Sequence, residues 1–285
     1  HGKGESYHTT APPKLIVCPA TTRDVQNLME ICTTHRIPVT AFGAGTSVEG
    51  HVSCRKGGIS LDTKLLQDIE IMLDDGMVTV GAGVTRKKLE TSLRQSGWQF
   101  TVDPGADATL GGMVATGASG TTTVKHGSIR DNLLELQVVL ADGTLVNCGT
   151  RARKNSAGYD LKSLFCGSEG TLGIIVNCTL KLHPVLDYKA TAIARFNTVR
   201  DASKIASLLR QYAIPVLRCE LLDAASIQAF NSYSEQDLPI LPTVFLEFQS
   251  FQMKHLGLNF PIFEISSPRD ILTKQFLIRE LKLTL

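Results

Sequence analysis

Apolar positions along the chain follow two periods. From residue 22 to 35, Val25, Leu28, Met29 and Cys32 fall at i, i+3, i+4 and i+7, which predicts one buried helix face capped by Thr21 or Thr22. Leu89 and Leu93 mark a second helix over 85–95 that stops before Gly97. Short apolar runs at 15–17, 37–41, 59–61 and 77–80 predict strands, the first ended by Pro19. The runs 133–140 and 144–148 flank Ala141-Asp142-Gly143, the signature of a hairpin with an Asp-Gly turn. A short helix at 161–165 precedes a long strand, 174–182, which Pro184 ends. Residues 1–13 read as an extended arm.

Three stretches interrupt this pattern with glycine and small side chains. The first, Phe42-Gly43-Ala44-Gly45-Thr46-Ser47-Val48-Glu49-Gly50, follows a predicted strand. Glycine tolerates positive φ and leaves room for a ligand, and successive N–H groups in such a turn can face one concavity and hold an anion. A Rossmann fingerprint fails because Val48 stands where its third glycine belongs, and a Walker loop fails for want of a lysine. One such loop is also what a plain strand-to-loop turn looks like. The second stretch runs from Asp103 to Gly120, and its middle, 111–116, predicts one short helix with an open, anion-attracting N-terminus. A tight packing seam between helices would need the same small residues. The third is Gly167-Ser168-Glu169-Gly170-Thr171-Leu172-Gly173, leading into the strand at 174. Together they favour an extended ligand with a phosphate-rich middle.

Glycine becomes sparse near Val185. Beyond it, strand 191–196, helix 199–212, strand 216–222, helix 224–231 and strand 243–248 predict the start of a second α+β domain. From 251 onward no period is clear.

Composition narrows the function. The 285 residues have room for one large or two ordinary domains, and 43% apolar content suffices for a core. A net charge of +2 without a basic block interleaved with aromatics argues against a nucleic-acid partner, and no apolar run reaches membrane-spanning length. The seven cysteines are scattered, odd in number and without a CxxC pair, which predicts reduced thiols packed as small hydrophobes inside a cell. The chain begins with His1, so a preceding segment carrying any targeting peptide is expected to be missing.

In order and spacing, these motifs resemble those of the vanillyl-alcohol-oxidase-type flavoproteins, the family with a PCMH-type FAD-binding domain. The carriers are His1-Gly2-x-x-Glu5-Ser6-x-His8, then FGAGTSVEG, VDPGADATLGGMVATGASG, Ile129-Arg130-Asp131-Asn132, and Ser156-Ala157-Gly158-Tyr159-Asp160-Leu161 with GSEGTLG. The likeness runs to about Phe248 and is strongest to the mitochondrial, cytochrome-linked branch that oxidises D-lactate. It implies an α+β architecture: a two-subdomain FAD-binding domain over 9–185, the start of an α+β substrate (cap) domain over 186–250, and a divergent tail over 251–285. It implies oxidation of D-lactate or a similar D-2-hydroxy acid by FAD, with electrons passed to cytochrome c, in the mitochondrion. The same fold also serves D-2-hydroxyglutarate and glycolate dehydrogenases and alkylglycerone-phosphate synthase.

By this resemblance the pyrophosphate of FAD lies on Phe42, Gly43, Ala44, Gly45, Thr46 and Ser47. Pro104, Gly105, Ala106, Thr109, Leu110 and Gly112 line the path to the flavin. Thr116, Gly117, Ser119 and Gly120 hold the ribityl and phosphate region, and Glu169, Gly170, Gly173 and Ile175 close over the cofactor. Where some relatives carry a histidine that bonds FAD covalently, this chain has Thr46, so the FAD is expected to be non-covalent. His51 reads as a solvated loop residue, His183 as structural, and His126 either as a neighbour of the flavin or as a surface residue. The full-length family places its divalent-metal ligands and base in an HxGDGNxH motif and a Glu-His pair of the second domain. Neither occurs here, so no catalytic residue is assigned; Arg218 and Glu220 read as a solvated or salt-bridged strand face. A fragment or a flavin-binding chain without turnover is the rival expectation.

Overall fold

The computed structural model of the chain describes residues 1–152 and 154–250, with the backbone of Glu264–Ile265. It divides into two compact units. One is His1–Gly120 with Gly127–Pro184, and the other is Thr121–His126 with the chain from Val185.

In the first unit, β1 (Leu15–Val17), α1 (Thr22–Thr34), β2 (Val39–Phe42) and β3 (Ile59–Asp62) build a parallel sheet in the order β1-β3-β2. Helix α1 opens with a capping box. Thr21 Oγ1 accepts from Asp24 N–H (3.1 Å) and Asp24 Oδ2 from Thr21 N–H (2.9 Å). Its stripe is seated as expected, with Val25, Met29 and Cys32 buried and Leu28 at the edge of the core. As the central strand, β3 has every side chain buried, Ser60 and Asp62 included. Buried polar groups need partners, and His1 supplies them: Nδ1 lies 2.9 Å from Ser60 Oγ and Nε2 3.2 Å from Asp62 Oδ2. The start of the chain is therefore folded against the sheet rather than extended, fastened also by Ala11 N–H donating to Gly2 O at 3.0 Å.

Next come β4 (Ile69–Met72), β5 (Met77–Gly81), α2 (Arg86–Leu93), β6 (Trp98–Gln99), α3 (Leu110–Thr116), α4 (Thr123–His126), α5 (Ile129–Asn132), β7 (Leu133–Val139), β8 (Leu145–Gly149), α6 (Leu161–Phe165), β9 (Ile174–Lys181) and β10 (His183–Pro184). Five of the strands form an antiparallel sheet, β4-β5-β9-β7-β8. Val78, Val80, Leu136, Val138 and Leu180 on its strands join Leu89, Leu110 and Met113 on α2 and α3 in one core. The β7–β8 hairpin turns at Asp142-Gly143, where Asp142 Oδ1 accepts from Thr144 N–H (2.9 Å) and Gly143 takes φ +84°. Strand β4 is not expected from the sequence, since only Ile69 and Ile71 alternate with polar neighbours there. The long strand itself stops at Lys181, and His183–Pro184 pairs with β6 as a separate short strand. All described cysteines are free and five are buried. Burial pushes the Cys178 thiol up to about 12.

In the second unit, β11 (Tyr188–Arg195), α7 (Val199–Gln211), β12 (Val216–Leu222), α8 (Ala224–Ser234) and β13 (Thr243–Ser250) follow the predicted alternation, and β14 (Glu264–Ile265) lies beyond it. The spatial order is β12-β13-β11-β14, with β13 inserted antiparallel between two mutually parallel strands. Ala192, Ala194, Val244 and Leu246 pack beneath Ile205 and Leu209 of α7. Arg218 pairs across strands with Glu247 and donates to Thr121 Oγ1 at 2.9 Å, so this face is salt-bridged. The tail read over 251–285 lies outside the described residues apart from β14.

Candidate functional site

The three glycine-rich stretches converge on one channel of about 420 Å³ within the first unit, a size within the range of small-molecule sites. From the first stretch, Phe42, Gly43, Ala44, Gly45, Thr46 and Ser47 line it. From the second come Pro104, Ala106, Thr109, Gly112 and Thr116, and from the third Glu169, Gly170 and Gly173, with Ile175 of β9 just beyond it. Gly105, Leu110, Gly117, Ser119 and Gly120 do not line it. Leu110 is wholly buried in the core. Gly117 closes α3 in the left-handed conformation. A side chain on Gly120 would strike Asp103 O, so its smallness serves a chain crossing. Ser119 is exposed, and Gly105 sits in a turn held by Asp103 Oδ1.

Contacts between the stretches explain the convergence. A Cβ on Gly43 would lie 2.3 Å from Thr109 Oγ1, and one on Gly112 2.9 Å from the same atom. Thr109 thus sits where the first two stretches touch, and it caps α3 by accepting from Gly112 N–H at 3.3 Å. The third stretch hangs on the end of α3 through Gly167 N–H to Val114 O (3.0 Å) and Glu169 N–H to Ala115 O (2.9 Å). Arg130 grips its root from the side, donating to Ser163 O and to Cys166 O. Asn132 is buried and lies 2.7 Å from His183 Nε2, so the Ile129–Asn132 motif and His183 act as struts.

The sequence expectation of an open helix N-terminus is overturned. The first-turn amides of α3 are already engaged: Leu110 N–H by Val84 O (2.8 Å), Gly111 N–H by Ala82 O (3.0 Å) and Gly112 N–H by Thr109. In the first stretch the case is opposite. Among the described residues, no hydrogen bond uses the amides of Ala44, Gly45, Thr46 or Ser47 as donors. Gly45 takes φ +70°, with a virtual Cβ only 2.9 Å from the Phe42 ring, so a larger residue cannot hold this turn. The titratable lining residues are Glu49, His51 and Glu169, with no lysine or arginine among them. An anion here would be met by main-chain N–H groups.

His51 is a second correction. Only 15% of its side chain is exposed, its Nδ1 lies 2.9 Å from Ser47 Oγ, and its Nε2 lies 2.8 Å from Glu169 Oε2. The last contact is an ion-pair approach, since Nε2 is not aligned as a hydrogen-bond donor. The glycine pattern alone could not place this residue, because its partner stands in another stretch. His126 lies in the second unit and is not part of the lining.

The geometry is that of an α+β domain with a lysine-free cradle suited to a flat, phosphate-bearing ligand. Comparison with known proteins gives the family. Residues 13–149 match the FAD binding domain and residues 186–257 the C-terminal domain of FAD linked oxidases. The chain belongs to the PCMH-type FAD-binding flavoproteins. A probable mitochondrial D-lactate dehydrogenase of Danio rerio is 44% identical over 252 residues, 87% of this chain and 51% of the relative. The mitochondrial D-lactate dehydrogenase [cytochrome] of Arabidopsis thaliana is 38% identical over 251 residues, 87% of this chain and 44% of the relative. The chain thus spans about half the length of the curated relatives it matches. A solved structure of alkyldihydroxyacetonephosphate synthase shares the fold, with a TM-score of 0.70 at 21% identity over 82% of this chain and 47% of that one.

Proposed function

We propose that the channel holds FAD non-covalently, in an extended pose, and that the protein oxidises D-lactate or a similar D-2-hydroxy acid in the mitochondrion, with cytochrome c receiving the electrons. The observation that carries this reading is the meeting of three glycine-rich stretches along one lysine-free channel. The names of the mitochondrial relatives support the substrate, the acceptor and the compartment.

FAD, when bound, supplies the hydride acceptor for the C2–H bond of the hydroxy acid. The protein's part is to bind and orient it. The free amides of Ala44, Gly45, Thr46 and Ser47 would take the pyrophosphate oxygens. Pro104, Ala106 and Thr109 would bound the path to the flavin, and Glu169, Gly170, Gly173 and Ile175 would cover it and exclude water. Thr46 offers no imidazole for a covalent link. Gly105, Leu110, Gly117, Ser119 and Gly120 would act by shaping the second stretch. Among the described residues no three His, Cys, Asp or Glu side chains cluster as metal ligands. The divalent metal and the base of the reaction are proposed to belong to the further length that the relatives possess. The FAD-binding domain is proposed to run over 9–185 and the substrate domain to begin at 186, a division supported by the two units and the two family matches.

The test is the visible spectrum of the purified chain, followed under nitrogen as D-lactate or L-lactate is added. Yellow protein is the expected result, and bleaching by the D isomer alone would place the substrate chemistry within this chain. Bound flavin that neither isomer bleaches would favour flavin binding without turnover, and colourless folded protein would refute the cofactor assignment.

A further inference from the structure

The tie between the first and third glycine-rich stretches differs from the others. The second is joined to the third by main-chain bonds and to the first by close packing at Thr109. The first and third are bridged by side chains: Ser47 Oγ, the His51 ring and Glu169 Oε2, at 2.9 Å and 2.8 Å. We propose that His51 is a positioning residue that clasps the first stretch to the third and sets how long the bound dinucleotide stays in the channel. This rests on the FAD reading above.

Each end of the clasp is prepared for it. Glu169 has φ +53°, a conformation few residues other than glycine adopt, and its N–H is held by Ala115 O at 2.9 Å. Its side chain is about half exposed while His51 is nearly covered, so the carboxylate reaches over the imidazole from the solvent side. Ser47 stands among the free amides of the first stretch, so fixing its hydroxyl also limits the swing of those N–H groups. The other titratable groups nearby are Glu49, which shares the lining, and His8 of the arm, whose ring lies under Gly50 and whose Nε2 is 3.1 Å from Val48 O. Hydroxyl, imidazole and carboxylate also make up nucleophilic triads. Here, however, the hydroxyl accepts from Glu49 N–H at 3.4 Å and the carboxylate is open to solvent, as suits a tie rather than a nucleophile.

The test measures FAD release from the full chain after dilution, read by the return of free-flavin fluorescence. His51→Ala should release FAD about tenfold faster, the factor expected for loss of the Ser47 hydrogen bond together with the Glu169 contact. Glu169→Gln should act in the same direction, His51→Gln should recover part of the loss through its remaining hydrogen bond, and the double variant H51A/E169Q should be no faster than H51A. In the apoprotein, H51A should speed amide exchange over 43–50 and over 168–172 together. Additive effects on release, or exchange that rises in one stretch alone, would overturn the clasp. If the unaltered chain takes up no FAD, the cofactor reading falls. The clasp then stands if both stretches loosen together in the apoprotein and falls if they do not.

Discussion

Replacing Gly43 with alanine tests how the channel is built. The backbone at Gly43 is not in the left-handed region, so any cost comes from the new methyl group alone. That carbon would start 2.3 Å from Thr109 Oγ1. Carbon and oxygen ordinarily stay about 3.3 Å apart, so the hydroxyl has to retreat by about 1 Å. Thr109 is 5% exposed and borders the channel. Its retreat also removes the cap on Gly112 N–H. Losing such a cap costs about 1 kcal/mol, and overpacking the contact adds about 1–3 kcal/mol. G43A should therefore destabilise the first unit by about 2–4 kcal/mol as the sum of those two terms. Trp98 is the chain's one tryptophan and belongs to that unit, so its fluorescence in a denaturant titration reports the change. In a Thr109→Ala background the colliding atom is gone, and the same substitution should cost about 1 kcal/mol or less. Equal costs in both backgrounds would refute the claim that Gly43 is required by Thr109.

Other consequences can be checked with the same reporter. Ser128 N–H and Oγ, at 2.8 and 2.9 Å, hold the Asp131 carboxyl below the usual carboxylate range. Its contribution to stability should be fully present above the ordinary aspartate value of about 3.9 and disappear as the pH falls through the lower folded value. Asp131→Asn should thus be less stable than the unaltered chain at pH 6 and converge with it in acid. Arg130→Lys should not replace the arginine, because one ammonium cannot span Ser163 O and Cys166 O as the guanidinium fork does; after allowance for its exposure, a loss of about 1 kcal/mol is expected. A thiol reagent at pH 8 should modify the half-exposed Cys18 early and leave Cys178 untouched until unfolding, as mass spectrometry of the labelled peptides would show.

Much of this was legible because it is local. The stripe of α1, the Asp-Gly hairpin and the alternation of the second unit each depend on residues a few positions apart, and each formed where the pattern placed it. The glycine-rich stretches were legible as loops that line one channel because tight turns and small side chains are compositional. What escaped is what distant residues decide. His1 is fixed by a buried serine and aspartate on β3. His51 is fixed by a glutamate of the third stretch. The N-terminus of α3 closes because residues 82–84, between β5 and α2, present carbonyls to it. No period in the sequence reports such pairings.

The small residues of the channel therefore answer to two demands that sequence reading merges into one. At Gly43, Gly111, Gly112 and Gly173 a Cβ would strike protein atoms at 2.3, 2.5, 2.9 and 2.6 Å, so these glycines are fixed by packing: Gly43 and Gly112 against Thr109, Gly111 against Ala82 and Gly173 against Val138. At Ala44 through Ser47 the amides are free, and there smallness leaves the backbone open to a ligand. The first demand seats the stretches against their neighbours; the second leaves a polar surface along the channel. A variant that fills a packing glycine would lose cofactor because the channel deforms, whereas one that enlarges Ala44 would lose it with the fold intact. Pairing cofactor affinity with the Trp98 denaturation midpoint separates the two: G43A should shift both, and Ala44→Val affinity alone.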